Sequence, residues 1–201
     1  MNTTNSHKTK GKTRAKEIKT LAHKILATEG YSSFTLRNIS SRLSISMGNL
    51  NYYFTKKQDL LQALIQDARA RYEADTKKIF EQSELSSEEQ FEQFISYLIN
   101  DLQNPLTRGF FLQLWAVATH EPEVESYRQD FYSYGINRIS DLLGHMTSGV
   151  REESIQARAM LIIAAIEGSM LLITVDSRNK VHRQVYLDKL KQHCLDIALN
   201  G

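Results

Sequence analysis

Between Ser46 and Lys57 the chain reads SMGNLNYYFTKK, a stretch in which nearly every residue type could meet a nucleic acid. An amide side chain both donates and accepts, as a base edge requires; a phenol can donate to a phosphate, and an ammonium neutralises one. Leu50 and Phe54, at i and i+4, would turn one side of a helix inward. Met47, Gly48, Asn49, Asn51, Tyr52 and Tyr53 are then left facing outward or flanking the contact, with Lys56 and Lys57 where a phosphate backbone would pass. Tyrosines beside a phenylalanine at helical spacing are also common core residues, and for Tyr53 partial burial is the competing reading. No other stretch offers comparable chemistry. His7, His23, His120, His145, His182 and His193 are scattered without metal-ligand spacing, no glycine-rich phosphate loop occurs, and Cys194 is the single cysteine. Neither a catalytic residue, nor a metal site, nor a cofactor is expected.

A segment of that kind needs a basic field and a scaffold. Net charge over the 201 residues is only +2, but up to Lys57 eleven lysines and arginines stand against Glu17 and Glu29. The N-terminal part therefore carries +9 and the remainder −7. Such asymmetry suits a polyanionic partner at one end. Helical periodicity runs almost throughout, punctuated by only two prolines, and predicts an all-α chain. The longest apolar run, Ala159 to Val175, is interrupted by Glu167 and falls short of the roughly 18 to 20 residues of a bilayer span. The basic N-terminus lacks the apolar core of a secretory signal, so a cytoplasmic protein with no membrane partner is expected.

The elements follow from stripes and caps. A first helix is predicted from Thr13 to Glu29, stopped by Gly30 and preceded by a flexible basic tail over residues 1–12. Thr35 caps a second helix carrying Leu36, Ile39 and Leu43, Ile45 plugs a turn, and Ser46 caps a third at Met47. That third helix has barely two turns, too short to persist unless packed, so its outer face is presented by a scaffold. Two crossed helices joined by a tight turn, the second polar and aromatic outside, describe a helix-turn-helix. A capping box from Thr55 to Gln58 is predicted to start a fourth helix, Lys56 to about Gln82, and a second box from Ser87 to Gln90 a fifth.

Ile25 to Leu61, ILATEGYSSFTLRNISSRLSISMGNLNYYFTKKQDLL, strongly resembles the tetracycline-repressor (TetR) family of bacterial transcriptional regulators. The family pattern there is a helix ending in GY, a Thr-begun helix and a short recognition segment rich in tyrosine and lysine. The resemblance implies an N-terminal helix-turn-helix domain over 13–57 and a C-terminal helical effector-binding and dimerisation domain over 58–201. It also implies a double-stranded DNA operator, a homodimer and a small-molecule effector as partners. Arg37, Met47, Gly48, Asn49, Asn51, Tyr52, Tyr53 and Lys57 occupy DNA-facing positions of the family. Three residues depart from its pattern: Ser44 stands where a turn glycine is usual, Ser40 where alanine is usual at the helix crossing, and Asn51 where a tyrosine is usual. A left-handed Ser44 would cost about 1 kcal/mol relative to glycine. An architectural or division-associated DNA binder on the same fold is the alternative.

Beyond Leu64 the resemblance is one of helix pattern. Predicted helices carry Phe94, Phe110, Phe111, Trp115, Tyr127 and Phe131, which could line a pocket for an apolar or aromatic effector or could be core. The LQLWAVATHEPEVESYRQDF segment, 112–131, is similar to choline-responsive members of the family. An eighth helix, Ser154 to Val175, is apolar nearly all round, as for a helix buried on two sides, and a ninth runs from Arg183 to Leu199. Glu167, inside the eighth, needs a partner: an effector, or Arg108, Arg138 or Arg158. The last two helices are expected to form the dimer. The fourth is long enough to carry a displacement from an effector to the reading heads.

Overall fold

The computed structural model describes residues 3–82, 84–174 and 180–200. Its described elements are nine helices in chain order: α1 (Thr3–Glu29), α2 (Leu36–Arg42), α3 (Met47–Tyr53), α4 (Lys57–Phe80), α5 (Ser87–Asp101), α6 (Pro105–Ala118), α7 (Pro122–Met146), α8 (Glu152–Leu172) and α9 (Lys180–Asn200). The all-α class stands. The chain divides into two compact units, residues 1–69 with 105–128, and 70–104 with 129–201. Two of the three unit boundaries fall inside α4 and α7, and the third between α5 and α6. The first unit thus combines α1 to α3 and the start of α4 with α6 and the start of α7.

In the first unit α1 packs on α6 and α2, and Ile18, Ala22, Ile25, Leu26, Phe34, Ile39 and Leu50 lose all exposure. Helix α1 reaches back to Thr3, so the helical backbone includes residues 3–12 of the expected flexible tail. That stretch has no proline and no apolar stripe, which is why the pattern became legible only near Ile18. Met1 and Asn2 of the tail lie outside the described residues. Gly109 sits where the α6 backbone meets α1: a Cβ built there would lie 2.1 Å from the Ala27 carbonyl oxygen. Only a residue without a side chain permits that approach.

Two expected caps shift. Thr55 Oγ1 (2.8 Å) and the Lys56 backbone N–H (3.0 Å) both donate to Asp59 Oδ2, so Asp59 and not Gln58 closes the start of α4. At α5 the box is formed by Ser86 and Glu89, one position earlier than predicted on each side. A carboxylate accepts backbone N–H bonds at a positive helix end better than a neutral amide does, which decides both cases.

In the second unit α9 packs on α5 and α8. Helix α8 buries Ala159, Ile162, Ile166 and Met170, and α9 buries Leu187, Leu190, Cys194 and Ala198. Two-sided burial of α8 within one chain is not what the structure shows. Met160, Leu161, Leu171 and Leu172 are 57 to 64% exposed, and α9 adds Val185 and Leu199. By length and composition α8 could cross a bilayer, although Glu167 lies in it and one face is packed inside the unit. Val175, the expected end of α8, lies outside the described residues, as does Ser83 after α4.

Candidate nucleic-acid interface

The pair of short helices α2 and α3 is built from caps, one turn and one buried leucine. Thr35 Oγ1 accepts the Asn38 N–H (3.1 Å) and Ser46 Oγ accepts that of Asn49 (3.1 Å), so each short helix has its predicted cap. Between them Ser44 takes the left-handed conformation, φ 53°, where glycine was expected by family pattern. The Ile45 N–H donates to the Ser40 carbonyl at 3.0 Å and closes the turn. Ser40, buried at the crossing, donates to the Arg37 carbonyl at 3.0 Å and lies 3.1 Å from Met47 Sδ. A hydroxyl in the usual place of a methyl group is thereby satisfied.

Leu50 is fully buried and fixes the roll of α3. Arg37, Met47, Gly48, Asn49 and Asn51 are exposed, and Tyr52 is 82% exposed with its ring edge-on to Tyr53 at 5.0 Å. Tyr53 and Lys57 are half-buried. The half-burial of Tyr53 matches the competing reading of that residue. Phe54 is half-buried and caps the C-terminus of α3, its N–H donating to the Leu50 carbonyl. Arg42, exposed at the end of α2, makes a two-pronged ion pair with Glu29, 2.6 Å on each side, and that guanidinium holds the Glu29 carboxyl below its usual value.

Lys57 lies differently from Lys56. Its Nζ sits 3.3 Å from the centroid of the Tyr31 ring, a cation–π contact. Tyr31 OH donates to Glu121 Oε1 at 2.7 Å, and the Tyr31 N–H donates to Gln113 Oε1 at 3.0 Å. Gln58 Nε2 reaches Glu121 Oε2 at 3.4 Å. Burial and the Glu121 carboxylate push the Tyr31 phenol up, while burial lowers the Lys57 ammonium and Glu121 opposes that shift. No local signal in the sequence marks Glu121 or Gln113; the GY pair marks Tyr31 only.

Of the residues expected around an effector, Phe110, Phe111, Trp115 and Tyr127 fall in the first unit, and Phe94, Phe131 and Glu167 in the second. Phe110 and Phe111 are 2% exposed, and Phe110 stacks on His23 at 5.1 Å between ring centroids, as a core residue does. Trp115 is 41% exposed beneath the Arg128 guanidinium, 4.7 Å away. Tyr127 OH donates to Glu123. Phe94 is buried against Phe80, and Phe131 meets Tyr72 edge-on at 5.9 Å. Glu167 is half-buried; Arg138 stacks on Phe80 and Arg158 donates to the Ala198 carbonyl.

The second unit holds a charged aromatic nest that periodicity did not reveal. Arg71 bonds Asp101 through both prongs at 2.9 Å and lies over the Tyr72 ring; Tyr72 OH also donates to Asp101. Tyr97 OH donates to Asp75 at 2.7 Å, and its ring is edge-on to Tyr72. Beside Tyr97 opens a groove of about 470 Å³ lined by Gln93, Ser96, Asn100, Glu92 and Lys191. Polar side chains line it together with Ile79 and Tyr97, and none of the predicted effector residues does.

Two short crossed helices, the first exposing the Arg37 guanidinium and the second buried by one leucine and exposing amide and phenol groups, within a strongly basic segment, make a DNA-binding helix-turn-helix. Residues 18–64 match the profile of the bacterial regulatory proteins of the tetR family, in agreement with the resemblance carried by Ile25 to Leu61. It is 26% identical over 188 residues to an uncharacterized HTH-type transcriptional regulator in the dhlA 5′ region of Xanthobacter autotrophicus, covering 89% of this chain and 91% of that one. Its fold is that of a TetR transcriptional regulator from Legionella pneumophila, with TM-score 0.69 and 21% identity over 88% of this chain and 95% of the other. A regulator-fold protein from Saccharomonospora viridis, in complex with choline, is equally similar, with TM-score 0.69 and 21% identity over 92% and 95%. At such identity the structural likeness speaks for the fold alone.

Proposed function

We propose that the chain is a homodimeric, cytoplasmic repressor of a palindromic operator, released from DNA by a small-molecule effector. The observation that carries the DNA reading is the exposed row of Arg37, Met47, Gly48, Asn49, Asn51 and Tyr52 on helices whose inner residues, Ile39 and Leu50, are fully buried. Asn49 and Met47 at the start of α3 read bases; Arg37 and the tyrosines hold phosphates, and Asn51 reaches either. One α3 touches few base pairs, so selectivity needs two copies spaced by about 34–36 Å, one turn of the duplex. The apolar residues left exposed on α8 and α9 supply the surface for pairing.

For the effector the aromatic content supports an apolar or aromatic molecule. A second reading is favoured by the Tyr72, Tyr97, Asp75 and Asp101 nest, in which the Tyr72 ring and the Asp101 carboxylate already hold the Arg71 guanidinium and Tyr97 bonds Asp75. Ring faces beside carboxylates suit an organic cation, and choline in the Saccharomonospora viridis protein is of that class. Selection from a randomised duplex pool tests the function. Enrichment of two inverted half-sites, about 10 base pairs between centres, is the expected result. Salt-sensitive binding with no enriched sequence would favour the architectural alternative.

A further inference from the structure

Six of the eight DNA-facing residues are exposed, Lys56 beside them is exposed, and the one DNA-facing lysine is drawn inward onto an aromatic ring. That ring is held at both ends by α6 and the residue preceding α7: its backbone N–H bonds Gln113 and its hydroxyl bonds Glu121. A phosphate and Glu121 offer Lys57 the same thing, a negative charge near an ammonium partly stripped of water.

We propose that Glu121, acting through the Tyr31 ring, is an internal competitor for Lys57 that restrains it from the DNA backbone. The idea rests on the DNA-binding reading above and makes Glu121 and Tyr31 positioning residues, neither of which touches DNA. In the clasped state the ammonium is balanced inside the protein, and binding a phosphate requires loosening that hold. Any rearrangement that carries Glu121 off Tyr31 frees a cation for the backbone, and any that tightens the contact withdraws it. The junction is poised to transmit such movement. Gly109 seats the α6 backbone directly on Ala27, a few residues before the Gly30–Tyr31 turn, with no side chain between to absorb a displacement.

The phosphate contact is independent of sequence, so a fluorescently labelled mixed-sequence duplex serves as the probe. Glu121→Gln is expected to tighten binding about threefold to tenfold, the scale of a partly desolvated cation–π contact and its counter-charge. Tyr31→Phe, which keeps the ring and removes no charge, should give a smaller gain in the same direction. Lys57→Met should weaken binding and reduce the salt slope by about one. In the Lys57→Met background Glu121→Gln should give no gain. A gain of equal size there would show only the removal of a repelling charge and would overturn the proposal, as would no gain in the wild-type background. A second measurement needs no DNA: with lysines ¹³C-dimethylated, the Lys57 methyl signal should be shifted upfield by the Tyr31 ring and move back in Glu121→Gln. An unshifted signal overturns the clasp whatever the duplex result. A shifted signal with no salt-sensitive DNA binding by any variant overturns the functional reading, and the restraint with it.

Discussion

Tyr52 is 82% exposed while Leu50, two positions earlier, is fully buried, so what α3 offers at each position depends on one side chain's roll. Tyr52→Phe removes only a hydroxyl, and operator affinity should fall by about 0.5–1.5 kcal/mol alike for all sequences with an unchanged salt slope. Asn49→Ala should instead change the order of preferred operators, as loss of an amide reading a base edge does. Affinity measured over a panel of single-base operator variants separates the two, and a uniform loss for Asn49→Ala would place it on the backbone. Cys194 makes a prediction of another kind. Its thiol is fully buried and pushed up to about 12 from 9.0 by burial. Folded protein at pH 8 should therefore resist a thiol reagent that labels it at once in denaturant. Because the folded value is raised, stability is unaffected by this group below about pH 9 and declines as pH climbs from there toward 12. Residues whose role is local were legible in the sequence: the caps Thr35 and Ser46, the left-handed Ser44, the buried Leu50. Glu121 was not, because its partner Tyr31 is 90 positions away and no periodicity records such a contact.

At the scale of elements, Gly109 shows how much one hydrogen atom holds open. With 2.1 Å from a Cβ to the Ala27 carbonyl oxygen, Gly109→Ala must push α6 off α1. We expect a loss of about 1–3 kcal/mol in denaturant unfolding, typical of overpacking a close contact. An unchanged midpoint would mean that the two backbones are not so close. The same substitution at Gly168, where a Cβ would meet nothing within 4 Å, is the control. Helix existence was readable from apolar stripes, but helix ends depended on which of two neighbouring polar residues turned back. Asp59 outcompeted Gln58, and Glu89 outcompeted Gln90, since charge at the helix start favours the carboxylate. The start of α1 was hidden for the opposite reason: residues 3–12 carry no apolar stripe at all.

For the whole molecule the decisive feature is what α8 leaves uncovered. A sequence apolar on all sides says only that every side is shielded; it does not say by which chain. Within one copy, Ala159, Ile162, Ile166 and Met170 are shielded while Met160, Leu161, Leu171 and Leu172 are not. A second copy's α8 and α9 would complete the burial. Leu161→Glu with Leu171→Glu should therefore yield a folded monomer by sedimentation and helical circular dichroism, with affinity for a palindrome reduced at least to that of a half-site. A variant that stays dimeric would move the interface elsewhere. A dimer would also give an effector its leverage, since a ligand that favours one spacing of the two reading heads must shift DNA affinity, and DNA must shift ligand affinity by the same factor. A coupling of about 1–3 kcal/mol, a 5- to 150-fold change, is the expected size. Calorimetry of choline and of apolar aromatic candidates, each titrated with and without operator, reads that factor directly. A ligand that binds equally well in both conditions would break the linkage and leave the chain a DNA binder without an effector switch.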